Sequence, residues 1–172
     1  MEARKTKLDG VLLITSNIFE DFRGAYIETY VERELVACGV NVHFVCDAVS
    51  VSSYKVLRGL HGDKKTWKLA SCGLGRLYFV VLNCTEGLPQ YGMWESFILT
   101  DTNRLQVLVP PGYANGHLIL SEKGMFCYKQ SEYYDREGQF TVRFDDPRFK
   151  IWWPIKDPIL SQRDDEVPYV GR

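Results

Sequence analysis

Trp67-Lys68-Leu69-Ala70-Ser71-Cys72-Gly73-Leu74-Gly75-Arg76-Leu77-Tyr78-Phe79-Val80-Val81-Leu82 is the stretch that decides the class of fold. Its last part, Leu77 to Leu82, is apolar at every position. A strand can be apolar throughout only if both of its faces are covered. The Gly73-Leu74-Gly75 triplet ahead of it predicts a turn, and Trp67 to Cys72 predicts the strand before that turn.

The pattern continues in both directions. Upstream, Val56 to Leu60 and Ala48 to Ser53 read as extended, as does Val42 to Val45. Val31 to Cys38 is a short amphipathic helix candidate that stops at Gly39. Ala25 to Tyr30 alternates, with Tyr26, Glu28 and Tyr30 on one side, as in a half-buried strand. Asp21 to Gly24 predicts a turn, and Leu8 to Ser16 a first strand. Downstream, Glu86 to Tyr91 is a loop. Trp94 to Leu99 and Leu105 to Val109 are strands around the polar turn Thr100 to Asn103. Pro110-Pro111-Gly112 breaks the chain. Gly116 to Leu120 and Met125 to Gln130 are expected to pair across Ser121 to Gly124, and Phe140 to Phe144 adds a strand. The tail from Asp145 to Arg172, punctuated by Pro147, Pro154, Pro158 and Pro168, is expected to wrap the body without regular structure. Short strands at this spacing, with Gly or Pro between them, predict an all-β sandwich or barrel with a few short helices.

The chain has 172 residues, of which 45 % are hydrophobic and 13 % aromatic, which suits one domain over 1–172 with a full core. The net charge is -1, from 21 basic and 22 acidic residues, so no general electrostatic surface for nucleic acid is expected. No run approaches the ~20 apolar residues of a membrane span. Glu2 and Asp9 fall where a secretory leader would carry its basic and apolar regions. The five cysteines include no Cys-x-x-Cys pair, so neither a disulfide framework nor a zinc knuckle is expected. A reducing, cytoplasmic compartment is the expectation.

The residues that carry chemistry centre on Val56 to Leu69, which holds Arg58, His61 and Lys68. An imidazole titrates near neutrality, so His61 suits a general base. Lys68 stands between Trp67 and Leu69; facing inward it must be paired or functional, and facing outward it is a solvated charge. Arg58 and Arg23 can each fork onto phosphate oxygens or form a structural ion pair. Tyr128 lies in a strand, where a phenol either packs or donates a proton. Asn115 and His117 follow the Pro-Gly break, where loops carry function. Tyr133 and Tyr134 can stack on a base, although a strand would turn only one of them inward. Asp164 sits beside Asp165 and Glu166, a cluster that ordinarily faces solvent.

Taken together in order, these stretches resemble the dTDP-4-dehydrorhamnose 3,5-epimerase family of cupin-like enzymes. The resemblance rests on Asp21-Phe22-Arg23-Gly24, Val56-Leu57-Arg58-Gly59-Leu60-His61, Lys68-Leu69 and Tyr91-Gly92-Met93-Trp94. It continues through Pro111-Gly112-Tyr113-Ala114-Asn115-Gly116, Tyr128 to Tyr134, Asp145-Asp146-Pro147, Trp153-Pro154 and Pro158 to Asp164. It implies a cupin or jelly-roll β-sandwich, a homodimer, and a cofactor-free inversion at C3, C5 or both of a nucleotide-linked 4-keto-6-deoxy sugar. It assigns the base to His61, the opposing acid to Tyr128, the orienting carboxylate to Asp164 and the cation near the sugar oxygen to Lys68. It assigns a diphosphate contact to Arg58, base stacking to Tyr134, and contacts donated from a neighbouring subunit to Arg23 and Glu28. Asn115 and His117, where the family pattern is broken, are candidate substrate contacts; His117 is either a second sugar contact or a packed strand residue.

The chain departs from the family pattern in three places. Cys46-Asp47-Ala48 replaces Gln-Asp-Asn, which removes two amides that would touch the ligand. Ala114-Asn115-Gly116-His117 replaces Ala-His-Gly-Phe, and Leu82-Asn83 replaces Val-Asp. The segment His61 to Lys68 resembles a branch from capsular heptose pathways that uses GDP-linked 4-keto heptoses. Two other readings compete. One is a metal-dependent cupin with His61, His117 and a carboxylate as ligands; the other is a sugar-nucleotide-binding module without activity.

Overall fold

The computed structural model describes residues 1–169. Thirteen strands and two short helices follow one another. The strands are β1 Glu2–Lys5, β2 Leu12–Thr15, β3 Asn17–Asp21, β4 Gly24–Glu28, β5 Cys46–Ser53, β6 Leu57–Asp63 and β7 Lys68–Leu74. They continue with β8 Arg76–Asn83, β9 Trp94–Thr100, β10 Leu105–Val109, β11 Tyr113–Ile119, β12 Lys123–Gln130 and β13 Gln139–Thr141. The helices are α1 Glu32–Ala37 and α2 Gln162–Asp165.

A six-stranded sheet runs β1-β2-β10-β7-β12-β5 and a five-stranded sheet runs β13-β6-β11-β8-β9, with β3 and β4 forming a separate hairpin. The two larger sheets face each other as a jelly-roll sandwich, the expected class. β8 shows why. Leu77, Phe79 and Val81 point into the layer between the sheets, where they meet Val107, Phe126 and Ala70. Tyr78, Val80 and Leu82 point the other way and are covered by Phe144, Phe149 and Trp153 from the tail. Burying one such phenylalanine contributes about 2 kcal/mol relative to leaving it in water. The tail is fixed by polar contacts as well: Trp153 Nε1 donates to Phe144 O (2.9 Å) and Tyr78 Oη to Trp152 O (3.0 Å). On the outer face of the six-stranded sheet, Leu35 of α1 and Val40 pack on Ile14, Leu69 and Leu108.

The structure corrects four expectations. Gly116 to Leu120 and Met125 to Gln130 do not pair with each other. β11 lies between β6 and β8, and β12 between β5 and β7, so each already has two neighbours in opposite sheets. Ser121–Gly124 is therefore a corner between layers rather than a hairpin turn. The first expected strand is shortened to β2, because Asp9-Gly10 turns the chain with Gly10 at φ 76°, and β1 precedes it. The tail contains α2, whose start is capped by Ser161: its side chain accepts from Asp164 N. Tyr133 and Tyr134 lie beyond the end of β12 in no strand, and both are exposed.

One close approach shapes the sheet edge beside His61. Gly59 has φ 127°, and a Cβ there would lie 2.5 Å from Gly116 Cα and 2.8 Å from Asn115 O. Gly24 also has a positive φ, 115°, but nothing lies within 4 Å of its Cβ position. Gly59→Ala should therefore cost several times what Gly24→Ala costs, about 3 kcal/mol against about 1 kcal/mol, in denaturant unfolding. Equal losses would mean that backbone conformation alone, and not the contact between β6 and β11, sets the requirement.

Candidate active site

A cavity of about 390 Å³ opens between the two sheets. Alternation along the strands decides most of what it sees; the register shift between β6 and β11 lets Arg58 and His61, three residues apart, face it together. From the five-stranded sheet, β6 contributes Arg58 and His61, and β11 contributes Asn115 and His117. From the six-stranded sheet, β12 contributes Phe126, Tyr128 and Gln130, while β7 contributes Lys68 and β5 Ser50. His61 and Tyr128 thus stand on opposite walls. Tyr134 from the loop after β12, Gln139 of β13, and Ser161, Arg163 and Asp164 at α2 complete the lining.

The six-stranded wall is ordered in three rows by register. Cys72, Phe126 and Ser50 lie abreast; Ala70, Tyr128 and Ala48 lie abreast; Lys68, Gln130 and Cys46 lie abreast. Tyr128 is therefore flanked by two alanines, which leaves open space on either side of the phenol. His117 stacks on Phe126 with ring centroids 4.1 Å apart, and Phe126 stacks on Tyr128 at 5.2 Å.

Each polar group has an identifiable electrostatic setting. Asp164 is 3 % exposed, against the expectation for a terminal acidic cluster. Its Oδ1 lies 2.6 Å from His61 Nε2, and its Oδ2 accepts from Gly59 N at 3.4 Å. Burial pushes its carboxyl up, but the His61 hydrogen bond and charge outweigh it, and the net direction is down. Burial lowers Lys68, with Asp63 partly opposing; its ammonium makes no ion pair among the described residues. Burial raises Tyr128, so its phenol stays protonated at neutral pH. Arg58 Nε donates to Ser52 Oγ (3.0 Å), and Asn115 Nδ2 donates to His61 O (3.2 Å). Burial, followed by the charges of Arg58 and His61, takes His117 down to about 3, so its imidazole is neutral. His117 Nε2 and Ser50 Oγ are buried without a hydrogen-bond partner among the described residues.

Eight of the ten residues singled out in the sequence converge here: Arg58, His61, Lys68, Asn115, His117, Tyr128, Tyr134 and Asp164. Arg23 and Glu28 do not. They sit on the β3–β4 hairpin, where Arg23 Nη2 pairs with Asp21 at 2.6 Å and Glu28 accepts from Asn17 at 2.9 Å. Phe22 beside them is 99 % exposed. Sequence reading missed Gln130, Phe126, Ser50, Gln139, Ser161 and Arg163 as cavity residues. The period of two was the available signal, since Phe126 and Gln130 flank Tyr128 at that spacing. Among the described residues no three His, Cys, Asp or Glu side chains converge as a metal-binding group.

A neutral, buried His117 makes stability depend on pH. The unfolded chain binds its proton below about pH 6.5 and the folded chain only near 3, so stability is complete above 6.5 and is lost as pH falls toward 3. Unfolding at pH 7.5 and 4.5 should show a smaller loss for His117→Phe than for the parent, by roughly 1 to 3 kcal/mol. An identical loss would place the acid sensitivity elsewhere.

The comparisons with known proteins agree on one family. A family model described as dTDP-4-dehydrorhamnose 3,5-epimerase matches residues 5–171. The dTDP-4-dehydrorhamnose 3,5-epimerase of Pseudomonas aeruginosa is 36 % identical over 168 residues, covering 95 % of this chain and 93 % of that protein. The crystal structure of the enzyme of that name from Elizabethkingia anophelis superposes with a TM-score of 0.91 at 38 % identity, covering 99 % of this chain and 96 % of the other. The Bacillus anthracis enzyme of that name, with TDP and PPi bound, superposes with a TM-score of 0.95 at 32 % identity, covering 98 % and 99 %.

Proposed function

The chain belongs to the dTDP-4-dehydrorhamnose 3,5-epimerase family and is a sugar-nucleotide epimerase; on that footing we propose the residues, the substrate and the assembly through which it works. The whole of 1–172 is one epimerase domain. Its substrate is a nucleotide-linked 4-keto-6-deoxy sugar, hexose or heptose, carried on GDP or dTDP. The observation that carries this reading is the placing of His61 and Tyr128 on opposite walls of one cavity, with a buried ammonium beside it.

The chemistry follows from the ketone. A carbonyl at C4 acidifies the hydrogens on C3 and C5. His61 takes one of them, and the electron pair of the C–H bond delocalises onto the C4 oxygen as an enolate. Asp164 holds the imidazole orientation and supports the imidazolium that forms. The Lys68 ammonium, kept out of water, stabilises the enolate oxygen. Tyr128 returns a proton from the opposite face, which inverts the carbon; Tyr128 then regains a proton from solvent and the His61 imidazolium gives its proton up to solvent. No step draws on a cofactor. Arg58 meets the diphosphate, Asn115 and His117 meet the sugar, and Tyr134 stacks on the base.

Arg23 and Glu28 complete the site from a second copy. Their hairpin stands off its own body with Phe19, Phe22 and Tyr26 exposed, the disposition of a segment that another surface covers. A homodimer with isologous exchange of hairpins supplies that surface. No helix among the described residues is long and apolar enough to cross a membrane. We place the enzyme in the cytoplasm, where its free thiols persist and where a nucleotide-sugar supply for capsule or lipopolysaccharide synthesis would be met.

Incubation in heavy water with GDP- and dTDP-linked 4-keto sugars should add one or two deuteriums per sugar. His61→Asn should slow this by about a thousandfold. Tyr128→Phe should still exchange, since His61 can return a proton to the face it took one from, but should accumulate no epimer. Binding without exchange by the parent would defeat the proposal.

Subunit exchange is open to a separate check. Coexpression of Arg23→Ala with His61→Asn should recover about a quarter of parental activity, because half the dimers are mixed and each has one intact site. No recovery would mean that each hairpin serves its own protomer; activity in Arg23→Ala by itself would mean that it serves neither.

A further inference from the structure

Lys68 carries the cation of the proposed mechanism, but nothing among the described residues holds its end in place. It is 8 % exposed, and its ammonium makes neither a hydrogen bond nor an ion pair among those residues. A lysine ammonium is a point charge with several donors on a flexible stem, so an unheld one has no fixed position. The carboxylates that could pair with it are engaged elsewhere. Asp63, whose charge acts on Lys68, accepts at Oδ1 from Lys65 N (2.9 Å) and Thr66 N (2.6 Å). Asp164, the acid of the cavity, meets His61 and Gly59 N.

The register shows which group stands beside the ammonium. Within the six-stranded sheet Lys68 lies directly opposite Val109 on β10 and Gln130 on β12. Val109 is apolar, and so is Ala70, the next residue of β7 on the same face. Gln130 is therefore the polar neighbour of Lys68 within the sheet, and both side chains line the cavity. Directly opposed residues of antiparallel strands have Cβ atoms about 5 Å apart, well within the span of these two side chains. The amide is also oriented. Gln130 Nε2 donates to Cys46 Sγ at 3.8 Å, and Cys46 lies on β5, across β12 from β7. With its nitrogen turned toward β5, Gln130 leaves Oε1 on the side of Lys68. That oxygen accepts no hydrogen bond among the described residues.

We propose that Gln130 is a positioning residue for Lys68: Oε1 accepts one ammonium hydrogen and so aims the others at the C4 oxygen of the sugar. This rests on the epimerase reading above, in which Lys68 steadies the enolate. A carboxamide suits the task for a physical reason. A neutral acceptor fixes the ammonium and leaves its charge whole, whereas a carboxylate in the same place would compete with the enolate for it. An apolar side chain would leave the cation without an anchor where burial already disfavours it.

The test measures deuterium uptake from heavy water by the 4-keto sugar, with the full chain in four forms: parent, Gln130→Leu, Lys68→Met and the double variant. Long incubation reads the slow rates expected without Lys68. Gln130→Leu should lower kcat about tenfold, with KM and the calorimetric affinity for GDP or dTDP within about twofold of the parent. Starting from Lys68→Met, the same change should alter kcat by less than about twofold, because the group it positions is gone. A merely structural role would give the same loss in both backgrounds. If Gln130→Leu does not fold, Gln130→Met, which keeps the length of the side chain, takes its place. Equal losses with and without Lys68, or parental kcat in Gln130→Leu, overturn the proposal while leaving the epimerase reading intact. A parent that binds nucleotide and shows no exchange overturns both.

Discussion

Asp164 is a carboxylate taken out of water near the end of the chain, and the geometry of the site follows from how that cost is offset. An unpaired buried charge would cost several kcal/mol, so the carboxylate must be met by donors on every accessible side. His61 meets one oxygen at 2.6 Å and the Gly59 backbone meets the other at 3.4 Å. Both donors belong to β6, so a single residue of the tail fixes the strand that carries the proposed base. The tail in turn is held down at α2. Arg143 donates to Asp165 O, and Arg163 donates to Gln139 and Thr141 of β13. Further back, Ile159 accepts from Leu57 N at 3.0 Å, at the start of β6 itself. The tail that covers the outer face of β8 is the same tail that orients His61, so packing and chemistry are not separable here.

Burial then sorts the remaining groups by what they can do at neutral pH. Tyr128 is kept protonated and Lys68 has its cation weakened but held close to the cavity. His117 is kept neutral, with its pKa pushed down to about 3, and so can offer hydrogen bonds but no proton exchange near neutrality. The two histidines of the cavity lie on adjacent strands of one sheet, yet only His61 has a carboxylate partner. That difference, more than their identity, is what favours His61 over His117 as the proposed base.

The sandwich was legible because Leu77 to Leu82 of β8 is apolar at every position, which requires cover on both sides. The alternation through Phe126, Tyr128 and Gln130 was equally present, but attention to one tyrosine hid its two neighbours. The pairing of β11 with β12 was misread because a short polar turn between two strands looks the same whether it closes a hairpin or turns a corner between layers. Only the other neighbours of each strand decide that, and they come from distant segments. Asp164 was legible through the family resemblance alone, since an acidic cluster near a terminus carries no local sign of burial. Arg23 and Glu28 are a different case: under the proposed exchange of hairpins they serve the cavity of another copy and have no reason to approach their own.

The departures from the family pattern are not spread evenly over the site. His61, Lys68, Tyr128 and Asp164, the groups proposed to move or steady protons and charge, keep the expected identities. The changes fall at Cys46 and Ala48 on β5, at Asn115 and His117 on β11, and at Leu82-Asn83 at the end of β8. Proton transfer beside a ketone needs a base, an acid and a cation in one fixed arrangement, and a small displacement of any of them is expensive. A site organised in this way can change the nucleotide or sugar it accepts one row at a time without disturbing the pair of walls on which the inversion depends.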